Sequence, residues 1–182
     1  MKWSILILTI PSRQHKLQSL LNELDKQITN SNLKDIEVLV NGEDGSIGKK
    51  RNDLLKKAKG DYVCFIDDDD RISPDYIVKI YRGLLDEPDC ISLIGIMTVN
   101  GKGQKRFIHS LKYNSYFEKA GTYYRPPNHL NTIKRELALK VKYPDINFGE
   151  DTDWAMKLSQ SGLLKKEYKI NTVLYYYRFQ NK

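Results

Sequence analysis

The segment Tyr62-Val63-Cys64-Phe65-Ile66-Asp67-Asp68-Asp69-Asp70 runs five strand-forming, apolar residues straight into four consecutive aspartates. Adjacent carboxylates repel one another, and oxygen-preferring cations such as magnesium or manganese relieve that repulsion, commonly together with a substrate phosphate. A strand that ends in carboxylates also sets them where open α/β sheets bind ligands. The competing reading is a solvated acidic turn that leads into the next helix. What surrounds the run decides between them.

Working upstream, Gly48 to Lys59 reads as a basic helix with Leu54, Leu55 and Ala58 on its apolar face, ended by Gly60 before Asp61 opens the strand. Asn41-Gly42-Glu43-Asp44-Gly45-Ser46 is turn chemistry after a strand from Ile36 to Val40. A polar loop, Thr29 to Lys34, separates that strand from a helix in which Leu17, Leu20, Leu21, Leu24 and Ile28 recur at helical spacing, with Ser12 as its expected N-cap. The first strand, Trp3 to Ile10, is nearly continuous in apolar residues, as a parallel strand covered on both faces should be, and Pro11 stops it.

Downstream of the aspartates, Ser73-Pro74 offers an N-cap and an N1 proline to a helix carrying Ile77, Ile80, Tyr81, Leu84 and Leu85. The order β-α-β-α-β-α predicts an α/β fold with a mostly parallel, Rossmann-like central sheet and helices on both faces. The second half changes character. Cys90 to Val99 and Gln104 to Ser110 read as a hairpin around Asn100-Gly101-Lys102-Gly103, and Tyr113 to His129 reads as irregular. A short helix from about Lys134 to Val141 follows, then a loop from Tyr143 to Gly149, a helix from Glu150 to Ser161 stopped by Gly162, and a β-rich run from Tyr168 to Phe179. With no repeat or linker, residues 1–182 are expected to form one domain: about 1–88 a nucleotide-binding half, about 89–182 a mixed, acceptor-side half.

Composition narrows the partners. The chain has 30 basic and 23 acidic residues and a net charge of +7, which favours anionic partners: nucleotide phosphates, a nucleic acid or an anionic membrane surface. Cys64 and Cys90 lie in apolar runs and read as reduced core thiols, consistent with a cytoplasmic location. The apolar run after Met1-Lys2 lacks a small-residue cleavage site, and no segment reaches the length of a transmembrane helix.

Several metal and nucleotide motifs fail on their spacing. A calcium loop starting at Asp67 would place Arg71, Ile72 and Val78 where a ligand, a glycine and a glutamate are required. Gly48-Lys49 lacks the upstream glycine of a Walker loop, and Lys50 stands where Ser or Thr is needed. His15, His109 and His129 make no zinc pattern with the cysteines, and no nucleophile elbow is present. What remains is the aspartate run and a second acidic cluster, Gly149-Glu150-Asp151-Thr152-Asp153, which opens a helix where acids also serve the dipole. Together they divide the labour: one cluster for metal and diphosphate, the other for a base.

The set formed by Pro11-Ser12-Arg13, Lys50-Arg51-Asn52, Ala58-Lys59-Gly60-Asp61-Tyr62, Phe65-Ile66-Asp67-Asp68-Asp69-Asp70 and Gly149-Glu150-Asp151 resembles a family-2 glycosyltransferase of the GT-A fold, in that family's order. The resemblance implies a metal-dependent, inverting transferase that takes a nucleotide-diphosphate sugar, with a UDP-sugar expected, and Mn2+ or Mg2+ as cofactor. It further implies that Pro11, Arg13, Asn41, Arg51, Asn52, Asp67 and Asp68 line the nucleotide side. Asn41 stands where the family often has an aspartate. Asp67-Asp68-Asp69 overlies the Asp-X-Asp motif, with Asp69 and Asp67 at the metal, although four aspartates leave the register open by one. Asp151 matches the general base, and Glu150 would face the acceptor, a glycan, another hydroxyl-bearing molecule or a nucleic acid; Trp154, one turn from Glu150, either stacks on an acceptor sugar face or packs in the core. Two departures stand out: the chain ends soon after its last strand, and no histidine follows His129. The rival readings are a sugar-phosphate nucleotidyltransferase, which would want a glycine-rich loop after strand one, and a basic nucleic-acid-binding module built on Lys49-Lys50-Arg51 and Lys56-Lys57.

Overall fold

A computed structural model describes residues 1–179. The N-terminal apolar run forms β1 (Trp3–Leu8), followed by one 3-10 turn (Pro11–Arg13), α1 (Gln14–Ser31), β2 (Ile36–Asn41), α2 (Ile47–Lys57), β3 (Tyr62–Phe65), β4 (Arg71–Ile72) and α3 (Tyr76–Leu84). The second half adds β5 (Cys90–Ile91), β6 (Leu93–Val99), β7 (Lys102–His109), β8 (Phe117–Lys119), β9 (Thr122–Arg125), β10 (Ile133–Lys134), α4 (Arg135–Ala138), α5 (Glu150–Ser161), β11 (Glu167–Tyr168) and β12 (Val173–Phe179).

Two six-stranded sheets result, in the orders β11-β5-β10-β3-β1-β2 and β4-β12-β6-β7-β9-β8. In the first, β1 pairs in parallel with both β2 and β3, so the chain reverses its direction of sheet growth between β1 and β3. That is a topological switch point, and the loops after β1 and β3 face each other across it. Strand alternation divides the core. Trp3, Ile5, Ile7, Cys64 and Ile66 pack with α1 and α3 residues such as Leu24 and Ile80 on one face. Leu6, Val63 and Phe65 pack with Leu54, Leu55 and Trp154 of α2 and α5 on the other. Both cysteines are free and buried, and burial pushes the Cys64 thiol up to about 11. Among the described residues, no helix is long and apolar enough to cross a membrane.

Several local expectations are corrected. Ser12 lies within the 3-10 turn and does not cap α1, whose cap position, Arg13, makes no side-chain cap bond. Gly60 is required by close approach rather than by a helix stop: a Cβ there would lie 2.6 Å from the Ser4 nitrogen. Pro74 and Ser73 sit in a turn before α3, with Asp75 at the cap position. The run from Cys90 to Val99 is two strands, because the chain passes from the first sheet to the second at Ser92, whose hydroxyl accepts from the Ile170 amide at 3.0 Å. The closing run divides in the same way between β11 and β12. The stretch from Tyr113 to His129 contains the hairpin of β8 and β9. The expected helix from Lys134 to Val141 shrinks to the four residues of α4.

Candidate active site

The four aspartates leave the end of β3 in four directions. Asp68 is 2% exposed at its side chain, and its oxygens accept from the Thr9 hydroxyl at 2.7 Å and from Arg13 at 3.0 Å. Asp70 turns inward, accepting from the Tyr175 hydroxyl and the Arg178 amide, both at 2.8 Å. Burial, reinforced by the nearby Asp67 charge, holds the Asp70 carboxyl well above the usual carboxylate range. Asp67 and Asp69 keep side chains 28% and 17% exposed. Arg13 and Lys16 approach Asp69 at 3.2 and 3.6 Å. Burial works against ionisation of Asp67, but His129 and Arg51 outweigh it and hold the carboxyl below its ordinary range.

Arg51 ties the two acidic clusters together. It is buried on α2, donates from Nε to Glu150 at 3.1 Å, reaches Asp67 at 3.5 Å, and lies 4.8 Å above the Phe65 ring. Burial alone would favour the neutral form, yet the surrounding acids, Asp67 first, raise its pKa further. Glu150 and Asp151 open α5 behind Gly149, whose φ of 81° is a left-handed geometry suited to glycine. The preceding loop is stitched to α2. Gly48 leaves no room for a Cβ against the Pro144 carbonyl, and the Gly48 amide donates to Ile146 at 3.1 Å. Asn52 both donates to the Tyr143 carbonyl at 2.9 Å and accepts from its amide at 3.0 Å. These contacts deliver Asp151 to its place.

His129 sits between the clusters. Its Nε2 lies 3.6 Å from Asp67 and its Nδ1 3.5 Å from Asp151, and neither nitrogen has a hydrogen-bond partner among the described residues. Sequence reasoning considered His129 only as a zinc ligand and missed this role. The one available signal was an isolated histidine in the Pro126-Pro127-Asn128-His129 segment. Arg125 was missed as well. Its guanidinium lies 5.1 Å from the Tyr116 ring and 5.6 Å from the Tyr123 ring. Asp67, Asp151, His129 and Arg125 line one cleft of about 490 Å³, walled by Tyr123, Tyr177 and the exposed Phe148. Asp69 and Lys16 line a second cleft, of about 560 Å³, beside α1.

The other expected site residues are distributed unevenly. Pro11 is exposed on the loop after β1, and Arg13 follows it in contact with Asp68 and Asp69. Asn41 is buried at the end of β2, its Oδ1 accepting from Glu43 and its Nδ2 without a partner. Asn52 spends one donor and one acceptor of its amide on the Tyr143 backbone. Trp154 does not face an acceptor: it is 2% exposed, stacks on Tyr143 at 4.8 Å, and donates to the Val141 carbonyl at 2.9 Å.

No group of three or more metal-ligating side chains occurs among the described residues. The donor set still fits magnesium or manganese, which needs only one or two carboxylates when substrate phosphates complete its shell. Asp67 and Asp69 offer hard oxygen donors, and each is balanced here by protein cations.

Residues 12–157 match the family described as Glycosyl transferase family 2. A stretch of 84 residues is 34% identical to the poly(ribitol-phosphate) beta-glucosyltransferase of Bacillus spizizenii, covering 46% of this chain and 13% of that protein. The crystal structure of S. aureus TarS 1-349 in complex with UDP-GlcNAc matches 100% of this chain and 60% of that one, with a TM-score of 0.66 at 19% identity. That of GalNAc-T7 with UDP, GalNAc and Mn2+ matches 100% of this chain and 44% of that one, with a TM-score of 0.54 at 14% identity. At these identities the two structures speak for the fold. The chain spans less than two thirds of the length of each of these relatives.

Proposed function

The chain belongs to glycosyltransferase family 2 and has the GT-A fold, and on that premise we propose that it moves a sugar from a UDP-sugar to an acceptor hydroxyl with inversion. The observation that carries the proposal is the meeting of Asp67 and Asp151 on either side of His129, at 3.6 and 3.5 Å. It puts a donor-side carboxylate and an acceptor-side carboxylate into one cleft from distant parts of the chain. The first half, to about residue 88, is the donor side, and the remainder is the acceptor side of the same unit.

Asp67 from the main cleft or Asp69 from the cleft beside α1 would hold a magnesium or manganese ion with the diphosphate, which would neutralise the charge that develops on the leaving group. Burial supports this register: Asp68 and Asp70 are enclosed, whereas Asp67 and Asp69, though paired with protein cations, keep side chains 28% and 17% exposed. Arg13 and Lys16 add positive charge on the same side. Asp151 takes the proton of the attacking hydroxyl, and His129 sets its position. A positioned base typically contributes about 10²–10⁴-fold. The similar solved structures hold UDP-GlcNAc or UDP and GalNAc, which supports a UDP-sugar donor, and the curated relative is named a beta-glucosyltransferase, a name that agrees with a β-linked product.

The test pairs binding with product analysis. UDP should raise Tm only with Mn2+ or Mg2+ present, and Asp69→Asn should remove that shift. Asp151→Asn should cut transfer by on the order of 10²-fold or more while that shift persists. A β-linked product from an α-linked donor is expected. An α-linked product, or near-normal turnover of Asp151→Asn, would overturn the assignment.

A further inference from the structure

The cleft that holds Asp151 contains two arginines in opposite circumstances. Arg51 is engaged by Glu150 and Asp67. Arg125 has no carboxylate within ion-pair distance among the described residues. Its guanidinium instead approaches two tyrosine rings, Tyr116 at 5.1 Å and Tyr123 at 5.6 Å. Stacking on aromatic faces fixes the plane of a guanidinium and leaves its edge of N–H donors open. Its charge acts on its neighbour in the sheet: His109, paired with Arg125 across β7 and β9, is pushed down to about 3 by burial and then by Arg125.

We propose that Arg125 reads an oxyanion group, a phosphate or a carboxylate, carried by the acceptor close to the hydroxyl that Asp151 deprotonates. This rests on the reading of the cleft as an acceptor site. Bidentate pairing of an arginine edge with an oxyanion is both directional and roughly twice as strong as a neutral hydrogen bond. The donor diphosphate is the less suitable occupant. The cations beside Asp69 are Arg13 and Lys16, on the exit from β1, whereas Arg125 sits on β9 of the second sheet, in register with His109 of β7. The aromatic wall of Tyr123, Tyr177 and Phe148 then suits the sugar or polyol that carries the anion.

Calorimetric titration of the full chain, with and without UDP and Mn2+, tests this with three probes: methyl glucoside, methyl glucoside 6-phosphate and methyl glucuronoside. The anionic probes should bind about tenfold or more tighter than the neutral one, with the phosphate and carboxylate arms showing which oxyanion is preferred. Arg125→Gln should bring all three to near parity, and Arg125→Lys should retain part of the preference, because it keeps the charge but loses the fork. The UDP-dependent Tm shift reports that each variant is folded. Equal binding of the neutral and anionic probes, or a preference that survives Arg125→Gln, overturns the proposal. So does a loss of UDP binding in Arg125→Gln, which would assign Arg125 to the donor. Failure of the transferase reading would look different: no metal-dependent UDP shift in the unaltered chain.

Discussion

Replacing Arg51 should do more harm to the fold than to any single substrate contact. The side chains of Arg51 and Glu150 are 5% and 6% exposed, and the guanidinium joins Glu150 at 3.1 Å and Asp67 at 3.5 Å while lying over Phe65. Arg51→Met keeps an apolar stem above the ring but leaves the Glu150 carboxylate buried without its partner. Breaking a buried pair from one side costs about 3–5 kcal/mol. In a domain of this size each kcal/mol lowers Tm by roughly 2–4 °C, so the expected loss is roughly 6–20 °C. The exposed Lys56 and Lys57 on the same helix should stay within about 0.5 kcal/mol when changed to alanine. Combining Arg51→Met with Glu150→Gln removes the stranded charge and should recover part of the loss, giving a coupling of about 0.5–3 kcal/mol. Urea unfolding of the two single variants and the double variant measures this directly. A loss under about 1 kcal/mol for Arg51→Met, or a double variant no better than the sum of the singles, would refute the claim that Arg51 is the buried tie between the clusters.

Three further outcomes are expected. His129→Leu should leave a folded protein whose transfer rate falls on the order of 10²-fold, because the two carboxylates lose the ring that sets their spacing; steady-state kinetics that match the unaltered chain would remove His129 from the site. Asp70→Asn should flatten the fall of stability with rising pH. A buried carboxyl with an elevated folded pKa stabilises fully below its unfolded value of about 3.9 and loses that contribution as pH rises through its folded value, whereas an amide does not titrate; an unchanged dependence of Tm on pH in the variant would contradict this. Trp154→Ala should cost about 3–5 kcal/mol by thermal or urea unfolding, as expected for a core tryptophan, and a stable variant with a raised acceptor KM would return Trp154 to the acceptor site.

The sequence by itself determined the parallel half of the fold. Apolar periodicity is a local property, and Trp3 to Ile7 or Leu17 to Leu24 carry it in full, so the order of the three long strands and three helices from Trp3 to Leu84 could be read directly, while the 3-10 turn and the two-residue β4, which pairs with distant β12, could not. It also singled out both acidic clusters, because four carboxylates after an apolar strand and an acidic helix start are unusual at any distance. Long-range contacts decided which of those carboxylates are enclosed and which keep exposed oxygens. Whether Asp68 or Asp69 is open depends on Thr9 and Arg13, which reach them from the other side of the switch point. That Arg51 also holds Glu150, and Asn52 the Tyr143 backbone, was hidden because those partners are far along the chain. Trp154 became core because Tyr143 covers its face. The passage of Cys90–Val99 from one sheet to the other was equally hidden, since both sheets want the same apolar residues and only Ser92 marks the crossing. Local chemistry names the groups that can react; which of them stay free to do so is settled by long-range contacts that leave no periodic trace in the chain.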